Sequence, residues 1–264
     1  MSEEPVRLDL RDGVATITLN RPDAMNSLDR ATKAALLDAV TRVAEDPDAR
    51  CLVLTGSGRA FCVGQDLKEH LQLLEAGDDD ALFTTVAEHY NPIVTAVATM
   101  PKPVIAAVQG VAAGAGASLA FASDFRLVRE DAGFNLAFTG IALSCDTGAS
   151  WTLPRLIGQT KALELLYFPR TIGAAEALDL GLATRVLSAN DFDQEVTALA
   201  RKLASGPTVA YGAVRRAVRH SAGSELAEAL AFEDTQMTLT GQTRDHKAAV
   251  AAFIAKESPT FEGR

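Results

Sequence analysis

The longest apolar stretch of the chain covers residues 104–123, and Gln109 is its one strongly polar residue. On length alone, such a stretch could cross a membrane. Gly110, Gly114 and Gly116 interrupt it, however, and its first residues are β-branched whereas its second half is rich in alanine and glycine. This pattern predicts a buried strand, a loop and a helix rather than a membrane span.

The segments before this stretch alternate between strand and helix patterns. Residues 6–10 and 15–19 alternate apolar with polar side chains on either side of Asp12-Gly13, which predicts a β-hairpin. A helix is predicted over about residues 29–46, and a core strand over residues 51–55. Alternating strands and helices indicate an α/β fold.

The last third of the sequence is mainly helical. Periodic segments rich in alanine and leucine predict helices near residues 190–204, 207–219, 224–237 and 243–256, after a short strand at residues 183–187. We therefore predict an α/β core over residues 1–190 and a helical region over residues 191–264. The helical region is expected to pack on the core or on a neighbouring subunit.

Composition disfavours several classes of partner. The sequence has 25 Lys plus Arg against 34 Asp plus Glu, a net charge of −9, which disfavours binding to nucleic acid or to an anionic membrane. Three cysteines without metal or CxxC spacing, and an acidic N-terminus unlike a signal peptide, predict a cytoplasmic location. The four histidines form no metal motif, and we expect no metal ion or other cofactor.

Two segments place glycines and small residues directly after a predicted strand. The first is Phe-Cys-Val-Gly-Gln-Asp-Leu at residues 61–67, where residues 56–64 are predicted to form a loop, and the second is residues 110–116. Small residues let a ligand approach the backbone, and a helix that begins there directs free N–H groups outward. Neither segment has the spacing of a nucleotide-binding motif, so close packing and ligand binding both remain open.

Three blocks together resemble a known family. Residues 20–28 (Asn-Arg-Pro-Asp-Ala-Met-Asn-Ser-Leu), 61–67 and 102–116 have the order and spacing of the signature blocks of the crotonase (enoyl-CoA hydratase/isomerase) superfamily. The similarity continues through residues 153–158 to residues 253–256. The resemblance implies a spiral of repeated ββα units, an acyl-CoA substrate, and a helical C-terminal region that builds a homotrimer or homohexamer.

The resemblance also implies the position of a site. Two backbone N–H groups hold the thioester oxygen in this superfamily, and the corresponding positions here are Gln65 and Ala115. Each such donor can lower a barrier by about 3 kcal/mol. Lysine suits a phosphate contact, so Lys68 is expected near coenzyme A phosphate. The full set of residues expected to contact the acyl-CoA comprises Ala24, Met25, Gly64, Asp66, Leu67, Lys68, Gly114, Ser118, Phe138 and Trp151.

The acid–base residues separate the branches of the superfamily. The two glutamates typical of hydratases are replaced here by Ser118 and Phe138, neither of which can act as a general base. Asp146, eight residues after Phe138, resembles the catalytic aspartate of the 1,2-epoxyphenylacetyl-CoA isomerase branch. The leading hypothesis is an isomerase in which Asp146 moves a proton, shifting a double bond or rearranging a ring epoxide.

Several alternatives stay open at this level. Without the resemblance, an aspartate before Thr-x-x-Ser would be a helix N-cap. Asp146 could instead be a nucleophile, as in the dehalogenases of the superfamily. An enoyl-CoA hydratase and a CoA-ester binder without catalysis are the further alternatives. A helix N-terminus would lower the pKa of Asp146 whereas an apolar pocket with Phe138 would raise it, and we expect burial to offset part of the first effect.

Overall fold

A computed structural model describes residues 4–264 except for the side chains of residues 79–81. The strands of this part of the chain are β1 (Val6–Arg11), β2 (Val14–Leu19), β3 (Cys51–Gly56), β4 (Ala60–Cys62), β5 (Val104–Val108), β6 (Val111–Ala113), β7 (Phe125–Arg129), β8 (Gly133–Asn135), β9 (Thr171–Gly173) and β10 (Arg185–Leu187). The helices are α1 (Arg30–Glu45), α2 (Leu67–Ala76), α3 (Asp79–Thr85), α4 (Asn91–Thr99), α5 (Ala115–Phe121), α6 (Ala149–Ile157), α7 (Gln159–Tyr167), α8 (Ala174–Asp179), α9 (Phe192–Ala204), α10 (Thr208–Ser221), α11 (Leu226–Gly241) and α12 (Arg244–Ala255). The predicted absence of a signal peptide rests partly on residues 1–3, which lie outside the described residues.

The strands form two sheets. The larger sheet has the order β1-β2-β3-β5-β7-β10, and the smaller has the order β4-β6-β8-β9. The hairpin β1–β2 and the pair β8–β9 are antiparallel, whereas the other neighbours are parallel. Parallel neighbours require crossover connections, which the helices provide.

Successive strand pairs divide themselves between the two sheets. In β3–β4, β5–β6 and β7–β8, the first strand joins the larger sheet and the second joins the smaller one. Each pair is followed by a helical segment, so the chain winds as a spiral of ββα units. This is the architecture that the resemblance implies, although the sequence shows no internal repeat.

The larger sheet is buried on both faces. Leu52 and Leu54 of β3 join the main core between the sheets, whereas Cys51 and Val53 pack with residues of α9 on the opposite face. The same division occurs along β5 and β7. Burial on both faces explains why these strands read as continuous apolar runs rather than as alternating patterns.

Long periodic elements agree with their predictions and very short strands do not. The hairpin, α1, β3, β5 and the four C-terminal helices lie where their patterns predict them. The prediction of a loop over residues 56–64 is wrong in part, because this segment contains β4. A strand of three residues is too short to show a period, and its pairing with β6 depends on residues far along the chain.

The C-terminal helices differ in how they contact the core. Helix α9 covers the outer face of the larger sheet. On α10, Arg215 donates hydrogen bonds to Asp124 and to the carbonyl oxygen of Val97. Helices α11 and α12 expose large apolar side chains, including Met237 and Phe253.

The domain boundary at residue 190 and the homotrimer or homohexamer stay predictions. Within residues 4–264, no helix combines the length and apolar character needed to cross a membrane.

Helix α5 approaches β4 so closely that glycine is required at the contact. A β-carbon at Gly116 would overlap the carbonyl oxygen and the side chain of Cys62. We expect Gly116→Ala to lower the free energy of unfolding by about 1–3 kcal/mol, because α5 would have to move away from β4. Urea denaturation measures the effect.

Gly241, the last residue of α11, is the matched control because a β-carbon there would meet nothing within 4 Å. Gly241→Ala should leave the stability unchanged or raise it by up to about 1 kcal/mol. Equal effects of the two substitutions would contradict the close contact between α5 and β4.

Candidate active site

A cavity of about 170 Å³ opens beside the ends of β4 and β6. Its walls are mainly apolar, and they include Val63, Leu67, Leu82, Phe83, Val86, Phe138, Ile141 and Leu143. Polar groups reach it from several elements, and they include Gln65, His70, Thr85, Tyr90, Ser144 and Asp146. An apolar cavity with a few convergent polar groups is the usual form of a small-molecule site.

Two glycine turns meet at one wall of this cavity. Gly64 has φ +82° and Gly114 has φ +51°, values that favour glycine. A β-carbon at Gly64 would lie 2.9 Å from the carbonyl oxygen of Ala113 and 3.1 Å from the amide nitrogen of Ala115. The turns after β4 and β6 are therefore in contact, and glycine keeps the Ala115 N–H accessible.

The backbone geometry directs two N–H groups toward the cavity. Gln65 pairs with Leu28 in a single parallel bridge, in which Leu28 N–H donates to Gly64 O at 2.8 Å and Asp66 N–H donates to Leu28 O at 3.2 Å. Alternate residues of such a pair point to opposite sides, so the Gln65 N–H points away from Leu28. Ala115 begins α5, where the N–H has no acceptor one turn earlier in the helix. Together these two donors can hold an oxygen atom that carries developing negative charge.

Asp146 directs its carboxyl group into the cavity rather than onto a helix. Gly148 is the cap residue of α6, and the Ala149 N–H donates to the backbone carbonyl of Asp146, so the interpretation of this aspartate as an N-cap is wrong. Thr147 Oγ1 donates to Asp146 Oδ1 at 2.8 Å. Thr147 itself has φ +51°, which is rare for a β-branched residue and indicates local strain beside the carboxyl group.

Burial raises the pKa of Asp146, while the hydrogen bond from Thr147 and the charge of Lys33 act in the opposite direction. We expected burial to offset only part of a lowering by a helix N-terminus, whereas burial is the largest effect on this carboxyl group and its pKa is raised. A carboxyl group with a raised pKa takes up a proton more readily than a solvated one, which is the property that a general base in this position needs.

A polar cluster lies behind Gln65. Tyr90 OH donates to Gln65 Oε1 at 2.6 Å, and Lys33 Nζ donates to the same oxygen at 3.2 Å. Lys33 Nζ is 5.5 Å from the centroid of the Tyr90 ring and 3.8 Å from Glu69 Oε2. Tyr90 belongs to a π-helical turn, Val86–Tyr90, between α3 and α4, and such turns are frequent at functional sites.

Lys33 and Tyr90 are not among the predicted site residues. A signal for Lys33 exists, because it precedes Leu36, Val40 and Val43 on the buried face of α1. A lysine at a position where the helical period calls for an apolar residue is a buried charge, and buried charges are costly unless paired. Tyr90 carries no comparable signal, since a buried tyrosine is ordinary in a core.

Six of the predicted site residues line the cavity together, namely Gln65, Leu67, Gly114, Ala115, Phe138 and Asp146. Gly64 supports them through its turn. Ala24 and Met25 are half-buried and Lys68 is exposed, and none of the three lines this cavity. Within the described part of the chain, no group of three or more His, Cys, Asp or Glu residues could hold a metal ion.

Three predicted residues have other surroundings. The Ser118 side chain is fully buried in α5 and donates to Gly114 O at 3.0 Å. The Asp66 carboxylate caps α2 and pairs with Arg21. Trp151 is 41% exposed, contacts the guanidinium groups of Arg155 and Arg219, and lines a different surface cavity. Trp151 therefore does not line the cavity that contains Asp146, and its contact with the acyl-CoA stays a prediction.

Comparison with known proteins decides the family. The sequence profile described as enoyl-CoA hydratase/isomerase matches residues 9–264. The chain belongs to the enoyl-CoA hydratase/isomerase family. A family protein from Rhodobacter capsulatus named "probable enoyl-CoA hydratase" is 40% identical over 100% of both chains. The 1,2-epoxyphenylacetyl-CoA isomerase of Escherichia coli is 38% identical over 96% of each chain.

Solved structures agree with this assignment. A crystal structure of an enoyl-CoA hydratase/isomerase family protein from Mycobacterium abscessus superposes with a TM-score of 0.94 and 40% identity, covering 98% of this chain and 100% of that one. The predicted crotonase-like fold is therefore confirmed. The chain is an acyl-CoA enzyme of this family, and the remaining question is which reaction it catalyses.

The raised pKa of Asp146 predicts a cost in stability near neutral pH. A raised folded-state pKa favours folding at low pH, and that contribution is lost as the pH rises through the folded-state value. A tenfold difference in proton affinity between the folded and unfolded chain corresponds to about 1.4 kcal/mol. Asp146→Asn should therefore become more stable than the wild type as the pH rises from about 4 to about 7. Urea denaturation over this range measures the difference.

Asp131 supplies a control of opposite sign. A hydrogen bond from Arg129 lowers the pKa of this exposed carboxylate. Asp131→Asn should lose up to about 1 kcal/mol relative to the wild type as the pH rises, because an exposed ion pair contributes little. A stability difference between Asp146→Asn and wild type that does not change with pH would contradict the raised pKa.

Proposed function

We propose that this enzyme is an acyl-CoA isomerase in which Asp146 is the single proton shuttle. The observation that carries the proposal is that Asp146 is the one carboxylate among the described residues that line the cavity. The positions at which hydratases of the family carry their glutamates hold Ser118 and Phe138. The first is buried away from the cavity, and the second places a phenyl ring in it.

The proposed reaction begins at a carbon beside the thioester. Asp146 takes a proton from that carbon, and the electron pair of the broken C–H bond forms the enolate, whose oxygen receives hydrogen bonds from Gln65 N–H and Ala115 N–H. The protonated Asp146 then returns the proton to a different carbon, and the double bond moves. No atom is gained or lost, so neither water nor a cofactor enters the balance.

The electrostatics of the cavity support this cycle. A shuttle must be ionised at rest and must also hold a proton during the reaction, which favours a carboxyl group with a raised pKa. Burial raises the pKa of Asp146, and Lys33 acts against full neutralisation. Preorganised backbone donors favour the enolate because they need no rearrangement when charge develops, and each can contribute about 10²- to 10³-fold in rate.

The size and lining of the cavity support a short or ring-sized acyl group. Its volume of about 170 Å³ is close to the roughly 150 Å³ of an apolar protein cavity that accommodates benzene. Phe83 and Phe138 contribute aromatic walls. Similarity to a 1,2-epoxyphenylacetyl-CoA isomerase supports a ring substrate, for which the net reaction would be rearrangement of a ring epoxide.

Proton exchange tests the role of Asp146. In deuterated water, wild-type protein should exchange the α-hydrogens of phenylacetyl-CoA and a short saturated acyl-CoA, as followed by mass spectrometry. Asp146→Asn should slow this exchange by about 10²- to 10⁴-fold, because it removes the general base. Asp131→Asn, remote from the cavity, should exchange like the wild type. Full exchange by Asp146→Asn would overturn the proposal.

A nucleophilic aspartate is the second candidate. An aspartate in an apolar cavity can attack a carbon that carries a halide, and the carbon–halogen bond breaks with release of halide as the aspartyl ester forms. Hydrolysis of that ester would place one oxygen from water in the carboxyl group. After a single turnover in ¹⁸O-labelled water, mass spectrometry of the Asp146 peptide should show no label if the isomerase proposal is correct. Label at Asp146 would favour the nucleophilic reaction.

Hydration is the third reaction to test, because a Rhodobacter capsulatus relative is named "probable enoyl-CoA hydratase". Incubation with a short trans-2-enoyl-CoA should yield isomers of equal mass. The enzyme would instead be a hydratase if a product heavier by one water accumulates at least as fast as the isomers.

A further inference from the structure

We propose that Lys33 is a positioning residue, whose buried ammonium group fixes Gln65 and places a positive charge behind the cavity that Gln65 and Asp146 line together. Its catalytic consequence rests on the proposed function, whereas its electrostatic consequence can be measured in the free protein. Lys33 lies on α1, outside the two glycine turns and outside the loop that carries Asp146.

The contacts of Lys33 lie on the side of the site that carries Gln65, which lines the same cavity as Asp146. Its side chain is 3% exposed, and Nζ donates to Gln65 Oε1 at 3.2 Å. Tyr90 OH donates to the same oxygen at 2.6 Å, so two donors fix the Gln65 side chain. Restraining this side chain also restrains the backbone that carries the Gln65 N–H. Lys33 thereby acts on the proposed oxyanion donor without touching the substrate.

A second buried lysine shows what a structural role looks like. Lys102 Nζ donates to the carbonyl oxygens of Val43 and Asp46, each at 2.7 Å, and so caps the C-terminal end of α1. Lys33 has a neutral amide oxygen at hydrogen-bond distance, and its carboxylate partner Glu69 lies farther away at 3.8 Å. A buried charge with such limited pairing is unfavourable for folding, which points to a role in the site.

Several charged or titratable groups lie in and behind the cavity that contains Asp146. His70 of α2 and Tyr90 of the π-helical turn line the same cavity, and Cys145 is the chain neighbour of Asp146. Glu69 of α2 pairs with Lys33, and the charges of Asp146, Cys62, Glu69 and Asp66 all act on Tyr90. Lys33 lowers the pKa of Asp146 against the larger effect of burial. Burial lowers the pKa of Lys33 itself, and Glu69 and Asp29 oppose that change.

The hydroxyl of Tyr90 remains a donor under these conditions. Burial and then the charge of Asp146 raise its pKa above the ordinary value. Tyr90 therefore stays neutral and continues to hold Gln65, and Lys33 is the group in this cluster whose positive charge favours the Asp146 carboxylate. Removing that charge must make Asp146 harder to ionise, whereas removing the Tyr90 hydroxyl changes the support of Gln65 and no formal charge.

The test is a titration of Asp146 by ¹³C NMR in the free protein, with the resonance assigned by comparison with Asp146→Asn. Lys33→Met should move the Asp146 midpoint to higher pH, because the opposing positive charge is lost. Lys102→Met, which removes a buried lysine remote from the cavity, should leave the midpoint in place. An unchanged midpoint in folded Lys33→Met would overturn the proposal.

A second variant keeps the test decisive should Lys33→Met fail to fold. Glu69→Gln removes the carboxylate that partly neutralises Lys33 and leaves the lysine in place. The Asp146 midpoint should then move to lower pH, opposite to the shift expected for Lys33→Met. No shift, or an upward shift, would contradict the assigned role of Lys33.

Kinetics separate the charge from the positioning effect. Lys33→Met should lower kcat by about tenfold or more and move the acidic limb of kcat/KM to higher pH, with a smaller change in KM. Tyr90→Phe should lower kcat without moving that limb.

Two outcomes distinguish failure of this inference from failure of the proposed function. If the wild type exchanges α-hydrogens and Lys33→Met has the same pH profile as the wild type, the inference about Lys33 is wrong and the proposed function stands. If wild type shows no exchange, the proposed function fails, and the NMR titration still decides the role of Lys33.

Discussion

The contact between two backbone turns is the constraint on which the site depends. Strands β4 and β6 are parallel neighbours in the smaller sheet, so their C-terminal ends reach the same edge. There the turn at Gly64 touches the turn that begins α5, at a distance that excludes a β-carbon at Gly64. Gly116 lets α5 lie directly on β4. The spiral of ββα units thus brings two N–H groups, distant in sequence, to one wall of a cavity.

The site concentrates features that a structure optimised only for stability would lack. Thr147 is strained in a left-handed conformation, Asp146 is a carboxyl group moved toward its neutral form by burial, and Lys33 is a charge on the buried face of a helix. Each is unfavourable by itself. Asp146 lines the cavity, Thr147 donates a hydrogen bond to Asp146, and Lys33 contacts Gln65 behind the cavity wall. The apolar core between the sheets and the face covered by α9 supply the stability that offsets them.

What the sequence predicts depends on how local the determining interactions are. Helix α1 and helices α9 to α12 carry their period within themselves, and the glycine blocks and Asp146 are recognisable as motifs. The three-residue strands are fixed by pairing with distant segments, so no local pattern predicts them. Lys33 and Tyr90 reach Gln65 across 32 and 25 residues of sequence. Trp151 follows Asp146 by only five residues, yet the start of α6 turns its ring toward another surface.

Phe138 occupies the position of a second carboxylate and also influences the protonation of Asp146. Under the proposed mechanism, Phe138 stands where a hydratase would place a glutamate, and its ring forms part of the cavity wall. A phenyl ring cannot hold a water molecule as a carboxylate does, so the same residue disfavours water addition and makes the surroundings of Asp146 less polar. Lower polarity favours the protonated carboxyl group, which must persist until the proton returns to carbon. The positive charge of Lys33 acts in the opposite direction and favours the carboxylate.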